Sequence, residues 1–260
     1  MKKNPSAPVP PVPRRGVARV ISKMGIGSRT QAAEWVREGR VRVNDTVVRD
    51  PESPVIQGWD RIAVDGHEAT PMRVVIMLNK PRGLVTTTRD ERGRDTVYKC
   101  LEGAALPWLA PVGRLDKASE GLLLFSNDPT WAARITDPTT GPEKTYHVQI
   151  NQLPDAALLA NLERGAVVDG ERLAAKAARC IRAGARNAWL EIVLDEGRNR
   201  QIRRLLTSFD VSVLRLVRIA ISSLQLGDLP KGGWRELSNQ EIESLAGDGA
   251  RRGRLMDFDP

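Results

Sequence analysis

The chain has 260 residues and a formal net charge of +8, with only two histidines and two cysteines. His67 and His147 are too few for a histidine-rich metal site, and Cys100 and Cys180 lack the paired spacing of a zinc or redox motif. No apolar run approaches the ~20 residues of a membrane span, so the composition excludes metal-clustered and membrane-spanning classes. It points to a cytoplasmic chain with a polyanionic partner.

Residues 1–13, MKKNPSAPVPPVP, carry five prolines and no periodicity, and read as a disordered arm. A compact unit is expected over 14–72. Val17, Val20, Ile21 and Met24 share one helical face, and Gly25 and Gly27 end that helix. Ser28 with Gln31 is a capping-box pattern that opens a second helix, which Gly39 closes. VRV and TVV around Asn44-Asp45 read as a hairpin. Between Arg14 and Arg42 stand eight basic residues against only Glu34 and Glu38. That density makes a nucleic-acid surface as reasonable as a solvated face. GIGSRT has neither a third glycine nor a preceding strand, so it fails as a nucleotide-binding loop.

From Arg73 the pattern turns to strands. RVVIML, GLLLF, TYHVQI, AWLEIVL and VLRLVRIAISSLQL read as strands. Helices are expected at Pro154–Leu162, over NRQIRRLLTSF, and after a second capping box at Ser238 and Glu241. Asp169-Gly170 marks a turn. Strands dominate without regular strand–helix alternation, so the fold class is α+β: a small helix-helix-hairpin domain, then a mostly antiparallel mixed sheet over 73–246. Residues 247–260 read as a flexible tail.

The segment GRLDKASEGLLLFSND, Gly113 to Asp128, places Asp116 on a loop before a buried strand. Loop carboxylates on rigid scaffolds often carry chemistry, but from the residues alone a local pair with Arg114 is the favoured explanation. Tyr146 shares a strand face with Val148 and Ile150, so it is a core tyrosine, a pocket tyrosine or both. His147 falls on the opposite face, and Tyr98 reads as a packing residue. The stretch Val85–Pro111 reads as a loop able to close over a ligand.

Two resemblances rest on these motifs. GIGSRTQAAEWVREGRVRVNDTVVRDPESPV resembles the RNA-binding domain named after the fourth small-subunit ribosomal protein, which implies RNA contacts at Arg19, Ser28, Arg29, Arg37, Arg40 and Arg42. GRLDKASEGLLLFSND, with LNKPRG, EKTYHVQI and EGRNRQIRRLL in order, resembles pseudouridine synthases of the RsuA type. That resemblance implies Asp116 as the essential catalytic residue, Tyr146 stacked on the target base, and Arg198 paired with Asp116. It also implies substrate contacts by Lys80, Arg114, Arg200, Gln201, Ile202 and Arg203. The reaction it implies is cofactor-independent, with no metal, and acts on a uridine of structured RNA, a ribosomal RNA or assembly particle; a monomer is expected, since a modular RNA enzyme needs no symmetric partner. A non-catalytic RNA-binding protein and a base-releasing hydrolase are the competing classes. The hydrolase is disfavoured because glycosidases usually use two carboxylates.

Overall fold

The computed structural model describes residues 14–56, 60–68, 73–88, 90–245 and 247. The proline-rich arm at 1–13 and the tail beyond 247 lie outside the described residues. The chain divides into two compact units between Arg73 and Val74.

In the first unit, β1 (Arg15–Gly16) runs straight into α1 (Val17–Lys23), and α2 (Arg29–Arg37) follows. The chain continues through β2 (Val41–Val43), β3 (Thr46–Val48), β4 (Pro54–Val55), β5 (Ile62–Val64) and β6 (His67–Glu68). The capping box forms: Ser28 Oγ accepts from Gln31 N at 3.1 Å, and Gln31 Oε1 accepts from Ser28 N at 3.0 Å. Such a cap is worth about 1 kcal/mol. Asn44 and Asp45, at φ 47° and 66°, turn β2 back on β3 as a two-residue hairpin requires. The strands order as β3-β2-β5-β6, and β1 pairs with β4. Val17, Val20 and Ile21 of α1 meet Ala32 and Val36 of α2 over Val41, Val55 and Ile62.

The second unit contains β7 (Val75–Lys80), a 3-10 turn (Val97–Leu101), β8 (Ala110–Val112), β9 (Glu120–Ser126) and α3 (Pro129–Thr136). Then come β10 (Lys144–Ile150), α4 (Ala156–Arg164), β11 (Ala166–Val168), β12 (Glu171–Leu173), β13 (Ala177–Ala183) and β14 (Ala188–Leu194). Finally α5 (Gln201–Thr207), β15 (Val213–Ile221), β16 (Leu224–Gln225) and β17 (Trp234–Glu236) lead to a helix at 239–245. The main sheet orders as β13-β14-β10-β15-β9-β7-β17, with β16 beside β15 and β8 beside β9. Within it β15 and β9 pair in parallel, and the other pairs are antiparallel. The α+β class with a mixed, mostly antiparallel sheet is therefore what forms.

Both faces of β7 and β9 are covered, which explains their unbroken apolar runs. Ile76, Leu78, Leu123 and Phe125 join Tyr146, Val148 and Leu190 beneath Leu158 and Leu162 of α4 and Leu205 and Leu206 of α5. On the other face Met77, Leu122 and Leu124 pack against Trp131 and Ile135 of α3 and Ile242 and Leu245.

Several expectations shift. The helix expected from Pro154 begins at Ala156, because Asp155 is its cap and accepts from Leu158 N at 2.7 Å. The helix expected from Asn199 begins at Gln201, because Arg200 is left-handed there. The sequence reading passed over α3, although Asp128-Pro129 is a helix-start signal and Asp128 caps Thr130 and Trp131. Part of the loop expected over Val85–Pro111 is anchored: Val97 and Leu109 are buried, and Tyr98 donates to Leu109 O at 2.8 Å. The Tyr98 ring meets Phe125 edge-on at 5.7 Å, as a packing tyrosine does.

Candidate active site

A cavity of about 200 Å³ opens at one end of β10 and β15. Its walls are the loop Gly113–Asp116 with Ser119, the end of α3, Lys144 and Tyr146 of β10, the α5 start, and Leu216 and Arg218 of β15.

Asp116 sits on a loop held tightly by its backbone. Every carbonyl from Leu115 to Ser119 accepts a hydrogen bond. Thr86 Oγ1 donates to Leu115 O at 2.7 Å, Ser119 N to Asp116 O at 3.0 Å and Gly83 N to Lys117 O at 2.8 Å. Arg203 Nη2 donates to Ala118 O at 3.4 Å and Lys80 Nζ to Ser119 O at 2.8 Å. The LNKPRG motif and its continuation therefore serve as the scaffold of the GRLD loop. Glu120, at the loop's exit, has a side chain only 4% exposed, held by Arg215 at 2.7 Å and Lys231 at 2.7 Å. Those hydrogen bonds, Arg215's foremost, hold its carboxyl down at about 2 against the opposing cost of burial.

Gly121 follows with φ +99°, and a Cβ there would lie 2.2 Å from Arg218 O. Only glycine allows β9 and β15 to approach this closely. That seam brings Arg218 beneath the cavity. Arg218 is 5% exposed, its Nε donates to Leu122 O at 2.7 Å, and its Cα pairs across the sheet with that of Tyr146.

The structure brings together Asp116, Arg114, Tyr146, Arg198, Arg200, Gln201, Ile202 and Arg203 around this cavity. Their partners refine the expectations. Arg198 is not the cation beside Asp116: its guanidinium binds Glu196 at 2.7 Å and Glu171 at 3.6 Å. Arg200 takes that place, with Nη1 3.5 Å from Asp116 Oδ2. Gln201 is 2% exposed and spends its amide on Ala174 O and Glu196. Ile202 is a core residue with one edge on the cavity. Arg203 is half-buried, and burial, reinforced by nearby Arg200, makes its guanidinium easier to deprotonate than usual, against the pull of Asp116. Lys80 does not reach the cavity. It is fully buried, bonded to Pro81 O and Ser119 O, and burial pushes its ammonium down to about 8 despite Glu120 and Asp116. Its ammonium is committed to the backbone that supports the Asp116 loop. His147 faces away and pairs with Glu191 at 3.4 Å.

Sequence reasoning missed Thr86, Lys144 and Arg218. The last had a signal: a charged residue in an apolar strand, LRLVRIAI. Alternation along the strand sets it on the same face as buried Leu216 and Ala220.

In the first unit Arg19 and Arg37 are exposed, with no ion pair among the described residues. Arg29 pairs with Glu52 at 3.3 Å. Arg40 lies across Trp35 and is gripped by Asp65 at 2.6 and 2.8 Å, and Arg42 donates to Asp45 O. Ser28 is occupied as the α2 cap.

A loop carboxylate in a cation-lined cavity, joined in sequence to a basic helix–hairpin unit, is the combination found in RNA-modifying enzymes. The family model for RNA pseudouridylate synthase matches residues 74–208, and the model for the S4 domain matches residues 15–58. The chain belongs to the RNA pseudouridylate synthase family and carries an N-terminal S4 domain. It is similar to an uncharacterized RNA pseudouridine synthase of Aquifex aeolicus, at 35% identity covering 88% of this chain and 92% of the relative. It is likewise similar to the ribosomal large subunit pseudouridine synthase B of Bacillus subtilis, at 33% identity covering 87% and 93%. A crystal structure of a pseudouridylate synthase superimposes with a TM-score of 0.61 at 29% identity, covering 89% of this chain and 99% of that one. No helix among the described residues is long and apolar enough to cross a membrane.

Proposed function

We propose that this chain isomerises a uridine of ribosomal RNA to pseudouridine, with Asp116 as the essential catalytic carboxylate. The observation that carries the reading is the placement of Asp116 at the rim of a cavity that Tyr146 also lines, with Arg200 beside it. The ribosomal substrate is supported by the name of the Bacillus subtilis relative.

In this reaction the N1–C1′ bond breaks, the uracil turns, and C5 bonds to C1′. C5 gives up its proton and N1 gains one, so nothing is oxidised or consumed. The chain's task is to hold the detached base and to place one carboxylate at the sugar–base junction. A stacked nucleotide hides C1′, so the target enters flipped out of its helix. Tyr146 offers a ring for it to stack on, worth roughly 1–3 kcal/mol. Arg200 orients Asp116, while Arg114 and Arg203 offer donors to phosphate or base oxygens. The exposed arginines of the S4 domain add phosphate contacts that set affinity more than base identity.

The test is Asp116→Asn, returned to a strain lacking the gene, with ribosomal RNA mapped by carbodiimide modification and primer extension. The wild-type chain restores a stop that the deletion loses, and the variant does not. Full modification by the variant would overturn the assignment.

A further inference from the structure

Thr86 belongs to none of the four motifs that define the family resemblance, yet its hydroxyl touches the residue before Asp116 at both backbone polar atoms. Thr86 Oγ1 donates to Leu115 O at 2.7 Å and accepts from Leu115 N at 3.3 Å. Thr86 is 7% exposed and Leu115 is 6% exposed, so water does not compete for either partner. The threonine is itself fixed. Its neighbour Val85 donates to Asp95 O and accepts from Val97 N, both at 3.0 Å, and Val97 is fully buried.

We propose that Thr86 is a positioning residue for the isomerisation: its hydroxyl sets the orientation of the Leu115–Asp116 peptide and, through it, the direction of the Asp116 carboxylate. The inference rests on the reading of Asp116 as the catalytic carboxylate. Leu115 O belongs to the peptide plane that ends at Asp116 N, so turning that plane changes φ at Asp116 and swings its Cα–Cβ bond. A hydroxyl bonded to both Leu115 O and Leu115 N resists that rotation from two sides. The other side-chain supports act further along, Arg203 at Ala118 and Lys80 at Ser119. Thr86 is the side chain that grips the loop ahead of the carboxylate. A displacement of about 1 Å at a reacting group can cost on the order of 100-fold in rate.

The experiment compares Thr86→Val, which keeps the shape and removes the hydroxyl, with Thr86→Ser, which keeps the hydroxyl. Single-turnover rates and KM are measured on a ribosomal RNA fragment, with circular dichroism and Tm as controls for folding. Thr86→Val is expected to slow the chemical step by about 10- to 100-fold with KM within about twofold, and Thr86→Ser to recover to within about threefold of wild type. If Thr86→Val does not fold, Thr86→Cys, whose thiol is a weak hydrogen-bond donor and acceptor, takes its place with the same expected loss. A folded variant without the hydroxyl that turns over at the wild-type rate overturns the proposal, as does a serine variant as slow as valine. Asp116→Asn is run alongside. If it is inactive while Thr86→Val is unimpaired, only the positioning role falls. If it is fully active, the reading of Asp116 falls and the positioning role with it.

Discussion

Arg200 Nη1 lies 3.5 Å from Asp116 Oδ2, while Arg198, two residues earlier, turns its guanidinium to Glu196 at 2.7 Å. The family resemblance pointed to Arg198 for that pair. The backbone explains the difference: Arg200 is left-handed, at φ 48° and ψ 32°, where the chain enters α5. Non-glycine residues held in that region cluster at functional sites. Both partners are partly exposed, so the pair contributes at most ~1 kcal/mol to stability. Its value lies in orientation.

Arg200→Ala is therefore expected to lower the single-turnover rate by about 10- to 100-fold, a loss of the size seen when a group that orients reacting atoms is removed. Arg198→Ala should stay within a few-fold of wild type, because its ion pairs are with Glu196 and Glu171 rather than with Asp116. Rates for the two variants on one RNA fragment decide between them. A larger loss for Arg198 would reinstate the original pairing.

Gly121→Ala tests the seam between β9 and β15. The added Cβ would sit 2.2 Å from Arg218 O and 2.8 Å from Arg218 N, at a φ that disfavours any side chain. Urea unfolding should show a loss above ~2 kcal/mol, in the range diagnostic of backbone strain and broken packing. Activity should fall further than stability alone explains, because the same seam anchors the exit of the Asp116 loop.

Glu120 gives a pH dependence with a defined sign. Its folded carboxyl is held at about 2, below its ordinary 4.5, chiefly by Arg215 and then Lys231. A depressed folded value contributes stability that is complete above about 4.5 and is lost as pH falls toward 2. The contribution is on the order of 3 kcal/mol. Glu120→Gln should flatten the stability curve over that window relative to wild type, measured by urea unfolding at steps from pH 6 down to ~2.5. Parallel curves for the two proteins would dismiss the network's role in stability.

The S4 domain's cations divide into free and committed ones. RNA affinity should fall steeply with salt, and Arg19→Ala and Arg37→Ala should each reduce the salt slope by about 1. Arg40→Ala should leave the slope nearer to wild type and lower stability instead, because Asp65 and Glu38 already hold that guanidinium. Filter binding across a salt series reads the slope, and thermal melts read the stability.

Much of the molecule was legible in the amino-acid order, because the determining interactions are local. The Ser28–Gln31 cap, the Asn44–Asp45 turn, the alternation of Tyr146, Val148 and Ile150, and the capping box at Ser238 each involve residues a few positions apart. The loop carrying Asp116 was found by its motif, and the order of four motifs pointed to the family.

What the sequence left open depended on contacts between distant segments. Lys80 looked like a substrate ligand, but burial directs its ammonium into the backbone of Ser119, 39 residues away. Arg218 and Thr86 carried no motif, and they meet the site only because β15 crosses beside β9 and the 80–86 segment lies under the GRLD loop. The choice between Arg198 and Arg200 turned on one left-handed residue. Composition, caps and periodicity specify which elements form and which family the chain joins. The aim of each charged side chain is set by which carbonyls and carboxylates the folded sheet brings within about 3 Å of it, and those partners are fixed only when the strands have paired.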